Sequence, residues 1–358
     1  HLTDPTTINY TLRQPIGVVG CISPWNLPLY LFTWKVAPAL AAGNCVIGKP
    51  SEVTPMTASM FAEICADAGL PPGVLNVLHG SGPGIGQAIV EHPEIRAISF
   101  TGGTRTGARL AGSAAPLFKK LSLELGGKNP SLVFEDCDRR RALDGVMRAA
   151  YANQGQICLC GSRILVQRSI YEEFRDELVS RIEGLRVGDP LDRETQQGAV
   201  VSAAHFESIL DRIRVAREEG GKILCGGRPA VPGSPRCKAG WFIEPTLIEG
   251  LGPHCSTNQE EIFGPVATIA PFEDEDEAVT LANCTRYGLA SALWSRDVDL
   301  CHRVAGKLQS GLVWVNCWMV RDLRTPMGGM KDSGVGREGG MEAMRFFTEA
   351  KNVCINTG

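Results

Sequence analysis

Short apolar runs alternate with amphipathic stretches along the first third of the chain. IGVVGCI (16–22) lies between Pro15 and Pro24 and suits a strand buried on both faces. LFTWKVAPALAAG (31–43) reads as a helix ending at Gly43, where a positive φ costs little. NCVIGKP (44–50) is the next strand, and TPMTASMFAEICADAG (54–69) a helix with a Thr-Pro start and a Gly stop. The alternation continues through GVLNVLHG (73–80), a helix near 83–91, RAISFTG (96–102), a helix near 105–112 and KKLSLELGG (119–127). This spacing predicts βαβ units in a doubly wound parallel sheet. Its strands end in Gly- or Pro-bearing turns, where such sheets bind ligands.

A second alternating region runs from about 131 to 345. RSIYEEFRDELVSRIEGL (168–185) and AHFESILDRIRVAREEG (204–220) are amphipathic helices, and EDEDEAVTLANCT (273–285) is a helix with an acidic start that suits its dipole. The Gly-, Pro- and Arg-rich block 226–240 reads as a surface loop. EAKNVCIN (349–356) alternates and is expected to pair as a strand outside the main core.

The 358 residues suffice for one large domain or two ordinary ones, with 44% hydrophobic and 21% charged residues and a net charge of −3. No run of one sign points to nucleic acid or to an anionic membrane, and no apolar stretch reaches the ~18 residues of a spanning helix. His1 opens a polar stretch unlike a signal peptide, and the absence of Met suggests that residue 1 is not the natural start. The 13 Cys are scattered and odd in number, so we read a reducing compartment with most of them as small buried hydrophobes. No Cys or His spacing suits a metal.

Candidate chemistry gathers in the polar turns. Cys158, in NQGQICLCGSR (153–163), sits among Gly, Gln and Asn, a setting that suits a thiolate, although a packed core Cys is the plainer reading. Glu124, in LELGGK (123–128), ends an apolar strand and must either work or pair with Lys128 or Lys120. Asn26, in SPWNLPL (23–29), is a side-chain amide in a rigid turn; it can donate to an oxyanion or cap the following helix. KPSE (49–52) offers Lys49 and Glu52 for phosphate or ribose hydroxyls. The Gly-rich turn in FTGGTRTG (100–107) could receive a pyrophosphate at a helix start.

Together PWNLP, KPSE, FTGGTRTG, LELGGK, NQGQICL, EEIFGPV (260–266) and GGMKDSGVGRE (328–338) resemble, in order and spacing, the aldehyde dehydrogenase superfamily over nearly the whole chain. The resemblance implies an α/β aldehyde dehydrogenase fold: a Rossmann-like parallel-sheet cofactor domain, an α/β catalytic domain and a small oligomerisation strand element. The expected division is an oligomerisation strand at 1–14, an N-terminally incomplete NAD-binding domain at 15–125, a catalytic domain at 126–347 and a second oligomerisation strand at 348–358. It implies NAD-dependent oxidation of an aldehyde to an acid, with Cys158 as nucleophile, Glu124 activating water and Asn26 holding the oxyanion. Cofactor contacts fall on Pro24, Trp25, Lys49, Glu52, Gly86, Thr101, Gly102, Gly103, Leu125, Glu261 and Phe263. Gly103 stands where many members carry Ser, which removes one hydroxyl from the phosphate turn. A homodimer or homotetramer in the cytoplasm is expected, with a small-molecule aldehyde as partner and neither nucleic acid nor membrane.

The segment NCWMVRDLRTPMGG (316–329) resembles the family's substrate-tunnel wall, which implicates Arg321 and Met327. CWxxRxL followed by GGxKxSGxGREGG resembles the branch that oxidises 2-aminomuconic and 2-hydroxymuconic semialdehydes. Arg321 could bind a substrate carboxylate with two hydrogen bonds, or lie on the surface paired with Asp322. Another aldehyde, such as retinal or an aminoaldehyde, or a catalytically inactive structural relative are the alternatives.

Overall fold

The computed structural model describes residues 4–358, so residues 1–3 of the strand expected at 1–14 lie outside the described residues. The chain divides into two compact units. One comprises 1–125, 322–328 and 334–358, and the other 126–321 and 329–333.

The first unit carries a six-stranded sheet in the spatial order Gly334–Val335, Lys120–Glu124, Ile95–Thr101, Val18–Ile22, Cys45–Lys49, Leu75–Val77. The last five are parallel, and Gly334–Val335 runs antiparallel on the edge. A wholly parallel sheet was expected; a late return of the chain supplies the extra edge. Helices cover both faces, which is why the central strand Val18–Ile22 is wholly apolar. Val19 and Cys21 pack on Phe32 and Val36 of the helix Pro28–Ala41. Ile22 and Ile98 pack on Ile89 and Leu110 from the helices Gln87–Glu91 and Thr104–Ala114. The helix expected near 83–91 is instead a π-turn, Gly82–Gly86, followed by that short helix. Gly and Pro dominate the turn, and neither supports regular α-helix. Strand order reverses between Val18–Ile22 and Ile95–Thr101, and the carboxyl ends at such a switch form the ligand crevice of an open α/β sheet. In the same unit, Thr7–Pro15 pairs antiparallel with Thr348–Asn356 as a two-stranded ribbon exposing Ile8, Tyr10, Leu12 and Ile355.

The second unit carries a seven-stranded sheet in the order Leu312–Val315, Ala290–Trp294, Pro130–Val133, Arg163–Gln167, Val266–Phe272, Thr246–Glu249, Lys222–Cys225, with only the last antiparallel. The helices Arg139–Tyr151 and Tyr171–Glu183 bury one apolar stripe each against it through Leu143, Val146, Phe174 and Leu178. All thirteen cysteines are free thiols. Six are buried, fewer than the sequence suggested, because Cys45 opens a strand at its wet end and Cys354 lies on the exposed ribbon.

Candidate active site

In the first unit the predicted residues sit at the carboxyl ends of the strands. Pro24, Trp25 and Asn26 follow Val18–Ile22, whereas Thr101 ends, and Gly102 and Gly103 follow, its neighbour across the switch. Asn26 is not a helix cap: the cap of Pro28–Ala41 is Leu27, with no side-chain hydrogen bond. Gly103 caps Thr104–Ala114 without a side chain of its own, which leaves the first-turn amides to other acceptors. The buried hydroxyls of Thr101 and Thr104 have no hydrogen-bond partner in the protein. A helix start with unclaimed amides and two such hydroxyls fits a phosphate. Lys49 is 2% exposed and donates to the carbonyl of Pro50 at 2.9 Å and to Glu52 Oε2 at 3.3 Å. Glu52 is half-exposed, and its carboxyl is held below its usual range by a backbone amide and by Lys49. Gly86 is buried, and a Cβ there would lie 3.8 Å from the Lys49 stem. A buried cation beside a reachable carboxylate suits a ribose.

Glu124 is 3% exposed at the end of Lys120–Glu124, with Thr101 and Gly334 as its strand partners. Its carbonyl accepts from the Gly102 amide at 3.0 Å. A Cβ on Gly328 would come within 2.7 Å of Glu124 Oε1, so the turn at 328 lies directly against the carboxylate. Lys120, one of the two expected partners, is engaged elsewhere, with Glu349 at 3.3 Å and the Thr348 carbonyl at 2.9 Å. Leu125 packs on Gly107, and Met327 is buried and exchanges two 2.7 Å backbone hydrogen bonds with Glu338. Sequence reasoning missed a buried network here. Lys35 Nζ donates to Glu338 Oε1 at 2.5 Å and to Ser99 Oγ at 3.2 Å, and Ser99 Oγ donates to Glu338 at 3.0 Å. The available signal was a lysine inside an apolar helix, which requires a buried anion.

In the second unit Cys158 lies in the loop at the amino end of Arg163–Gln167, and Glu261 and Phe263 lie in the loop at the amino end of its neighbour Val266–Phe272. Asn153, Gln154 and Gly155 are all left-handed (φ of 51°, 57° and 68°) as the chain enters the Cys158 turn. A Cβ on Gly155 would lie 2.0 Å from the Gly264 carbonyl oxygen, so only glycine lets the NQGQIC and EIFGP segments meet. Cys158 is half-buried, whereas Cys160 is 6% exposed and burial pushes its thiol up to about 12, leaving it inert at neutral pH. Glu261 Oε1 accepts from the Gly127 amide at 3.1 Å, and loss of hydration pushes its carboxyl up to about 7. Phe263 is left-handed (φ 58°), and its carbonyl is bonded to His205 Nε2 at 2.8 Å. Arg321 is half-buried at the end of the segment 316–321, and Asp322 is ion-paired with Arg324, which donates to both of its carboxylate oxygens. Arg321 and Met327 belong to different units. Among the described residues no group of three or more His, Cys, Asp or Glu side chains could hold a metal.

The model of the aldehyde dehydrogenase family matches residues 1–353. The chain belongs to the aldehyde dehydrogenase family. It is 52% identical over 349 residues to 2-aminomuconic semialdehyde dehydrogenase of Mus musculus, covering 97% of this chain and 72% of that one. It is 48% identical over 350 residues to 2-hydroxymuconic semialdehyde dehydrogenase of Pseudomonas sp. (strain CF600), again covering 97% and 72%. Among solved structures, betaine aldehyde dehydrogenase from Staphylococcus aureus in complex with NAD+ matches with a TM-score of 0.96 at 40% identity, over 99% of this chain and 70% of that one. The expected aldehyde dehydrogenase fold and its enzyme class therefore hold.

Proposed function

We propose that this aldehyde dehydrogenase oxidises a semialdehyde carrying its own carboxylate, of the 2-aminomuconic or 2-hydroxymuconic type, to the diacid with NAD+. The observation that carries the substrate class is about 50% identity over 97% of the chain to relatives named for those two aldehydes, one mammalian and one bacterial. Lys49 and Glu52 would hold the adenosine ribose, the Gly102–Gly103 turn the pyrophosphate, and Glu261 with Phe263 the nicotinamide ribose. NAD+, when bound, supplies the oxidant, accepting a hydride from the substrate carbon. The Cys158 thiolate attacks the aldehyde carbon and forms a C–S bond. Asn26 and the Cys158 amide donate to the oxyanion, each worth roughly 3 kcal/mol. Once hydride has left, the acyl group is a thioester on Cys158. Glu124 takes a proton from water, the water attacks the acyl carbon, and the C–S bond breaks to release the acid and the thiolate.

Arg321 would bind the remote carboxylate, a charged hydrogen bond of roughly 1.5–3 kcal/mol. Arg321→Ala should then lower kcat/KM for a muconic semialdehyde about ten- to a hundred-fold and leave hexanal nearly untouched, read as NADH absorbance. Equal losses on both substrates would reduce Arg321 to a structural role. The exposed apolar ribbon Thr7–Pro15 and Thr348–Asn356 suits pairing between subunits of a homodimer or homotetramer. Thirteen free thiols suit the cytoplasm. Among the described residues no helix is long and apolar enough to cross a membrane.

A further inference from the structure

The turn that carries Cys158 is tied down by side chains that take no part in the reaction above. Asn129 is 3% exposed, in the loop before Pro130–Val133. Its Nδ2 donates to the carbonyl of Cys158 at 2.7 Å and to that of Cys160 at 2.9 Å. Its Oδ1 accepts from the Ala290 amide at 3.0 Å, which fixes the amide's orientation and leaves both N–H groups for the turn. The carbonyl between them, of Leu159, accepts from Trp318 Nε1 at 3.1 Å. Three consecutive carbonyls are therefore each held by a buried side chain. The preceding peptide plane is held as well, because the Cys160 amide donates to the Ile157 carbonyl at 2.9 Å. With the planes on both sides of Cys158 fixed, its φ and ψ are fixed, and with them the direction of its N–H and of the Cα–Cβ bond that carries the thiol.

Trp318 is itself well seated. It is 6% exposed, packs edge-to-face on Trp314 at 6.5 Å, and carries Arg148 over its ring at 6.0 Å. It lies three residues before Arg321, on the segment that the proposed function assigns to substrate recognition. One hydrogen bond therefore joins that segment to the nucleophile turn.

We propose that Asn129 and Trp318 are positioning residues, which clamp the Cys158–Cys160 turn so that the nucleophile is presented in one orientation and tie that turn to the segment bearing Arg321. The inference rests on Cys158 being the nucleophile. A buried donor lost from a carbonyl leaves that plane free to rotate, whereas an unclamped turn spends most of its time in orientations that do not react.

Asn129→Ala deletes three bonds at a buried site and puts folding at risk, so the deciding variant is Trp318→Phe. It keeps an aromatic ring for Trp314 and Arg148 and removes the N–H together with part of the indole's volume, a packing loss that thermal unfolding reads separately. The purified full chain is compared with Trp318→Phe in three measurements: thermal unfolding, steady-state kcat and KM, and the pH profile of Cys158 alkylation by iodoacetamide, with the labelled residue located by mass spectrometry. We expect cooperative unfolding to persist, kcat to fall roughly 3- to 10-fold, the worth of one neutral hydrogen bond, and the KM for NAD+ to stay level. The alkylation profile should broaden or move to higher pH. Unchanged kcat together with an unchanged alkylation profile would overturn the clamp. The underlying reading fails separately: if Cys158→Ser still turns over, the nucleophile is elsewhere, whatever Trp318→Phe does.

Discussion

Replacing Gly155 by Ala tests how tightly the nucleophile turn is built. The new Cβ would lie 2.0 Å from the Gly264 carbonyl oxygen, and Cβ contacts under 3.0 Å essentially never occur, so the two segments must part by about 1 Å. The left-handed φ of 68° adds roughly 1–2 kcal/mol of backbone strain for any residue with a side chain. A displacement of about 1 Å in a reacting group costs on the order of a hundred-fold in rate. Gly155→Ala should therefore lower kcat about a hundred-fold, while stability falls by only a few kcal/mol. Steady-state NADH formation at saturating aldehyde and NAD+ reads the first quantity, and urea unfolding reads the second. Gly112→Ala is the matched control. A Cβ there meets nothing within 4 Å inside the helix Thr104–Ala114, so it should stabilise by about 0.5–1 kcal/mol without changing turnover. If Gly155→Ala kept its kcat within a factor of about three, well short of the loss expected from a 1 Å displacement, the packing of these segments would have no bearing on catalysis.

Cys158→Ser should abolish turnover while NAD+ still binds by calorimetry, and Cys160→Ser should keep substantial activity; the opposite pattern would transfer the role to Cys160. Glu124→Gln should release a burst of NADH near one per site and then stall, with the acyl adduct found on Cys158 by mass spectrometry; normal steady-state turnover would remove Glu124 from deacylation. Lys128 is 2% exposed, and burial, with Arg163 beside it, pushes its ammonium down from 10.5 to about 7. Between those values the unfolded chain holds a proton that the folded protein has released, so stability should rise with pH across that window, by at most about 1.4 kcal/mol per pH unit. Buried thiols such as Cys160 pull the other way above the usual thiol range, so the test is a difference: between pH near 7.5 and near 9.5 the slope should be more positive in the parent than in Lys128→Met, and equal slopes in the two would contradict the burial argument.

The βα alternation was readable because central strands such as Val18–Ile22 are apolar on both faces and the helices between them end in Gly or Pro, so pattern and burial coincide. Turn chemistry was less readable. Gly82–Gly86 winds as a π-turn because a Gly-Pro-Gly run sets no regular period. Candidate residues in polar turns, such as Cys158, Glu52 and Asn26, were weak signals one by one and stood out only through the order and spacing of the motifs that carry them. Supporting residues did not. Asn129 looks like an ordinary loop residue before Pro130, and Trp318 like one more aromatic in an apolar stretch. The Lys35–Glu338 pair joins positions that no local pattern connects. Such residues are recognisable only by what they touch.

The division of the chain also bears on the order in which it can fold during synthesis. The second unit is nearly one continuous stretch, 126–321, whereas the first needs the strand Gly334–Val335 on the edge of its sheet and pairs Thr7 with Asn356. On a ribosome adding about 5–20 residues per second, the part of the first unit up to residue 125 must wait roughly ten seconds to three-quarters of a minute for those partners. During that interval the edge of Lys120–Glu124 and the backbone of Thr7–Pro15 lack their native strand partners. The same strand that brings Glu124 into place thus spends its first seconds as an open template for aggregation, and chaperone demand should track residues up to 125 rather than the Cys158 region.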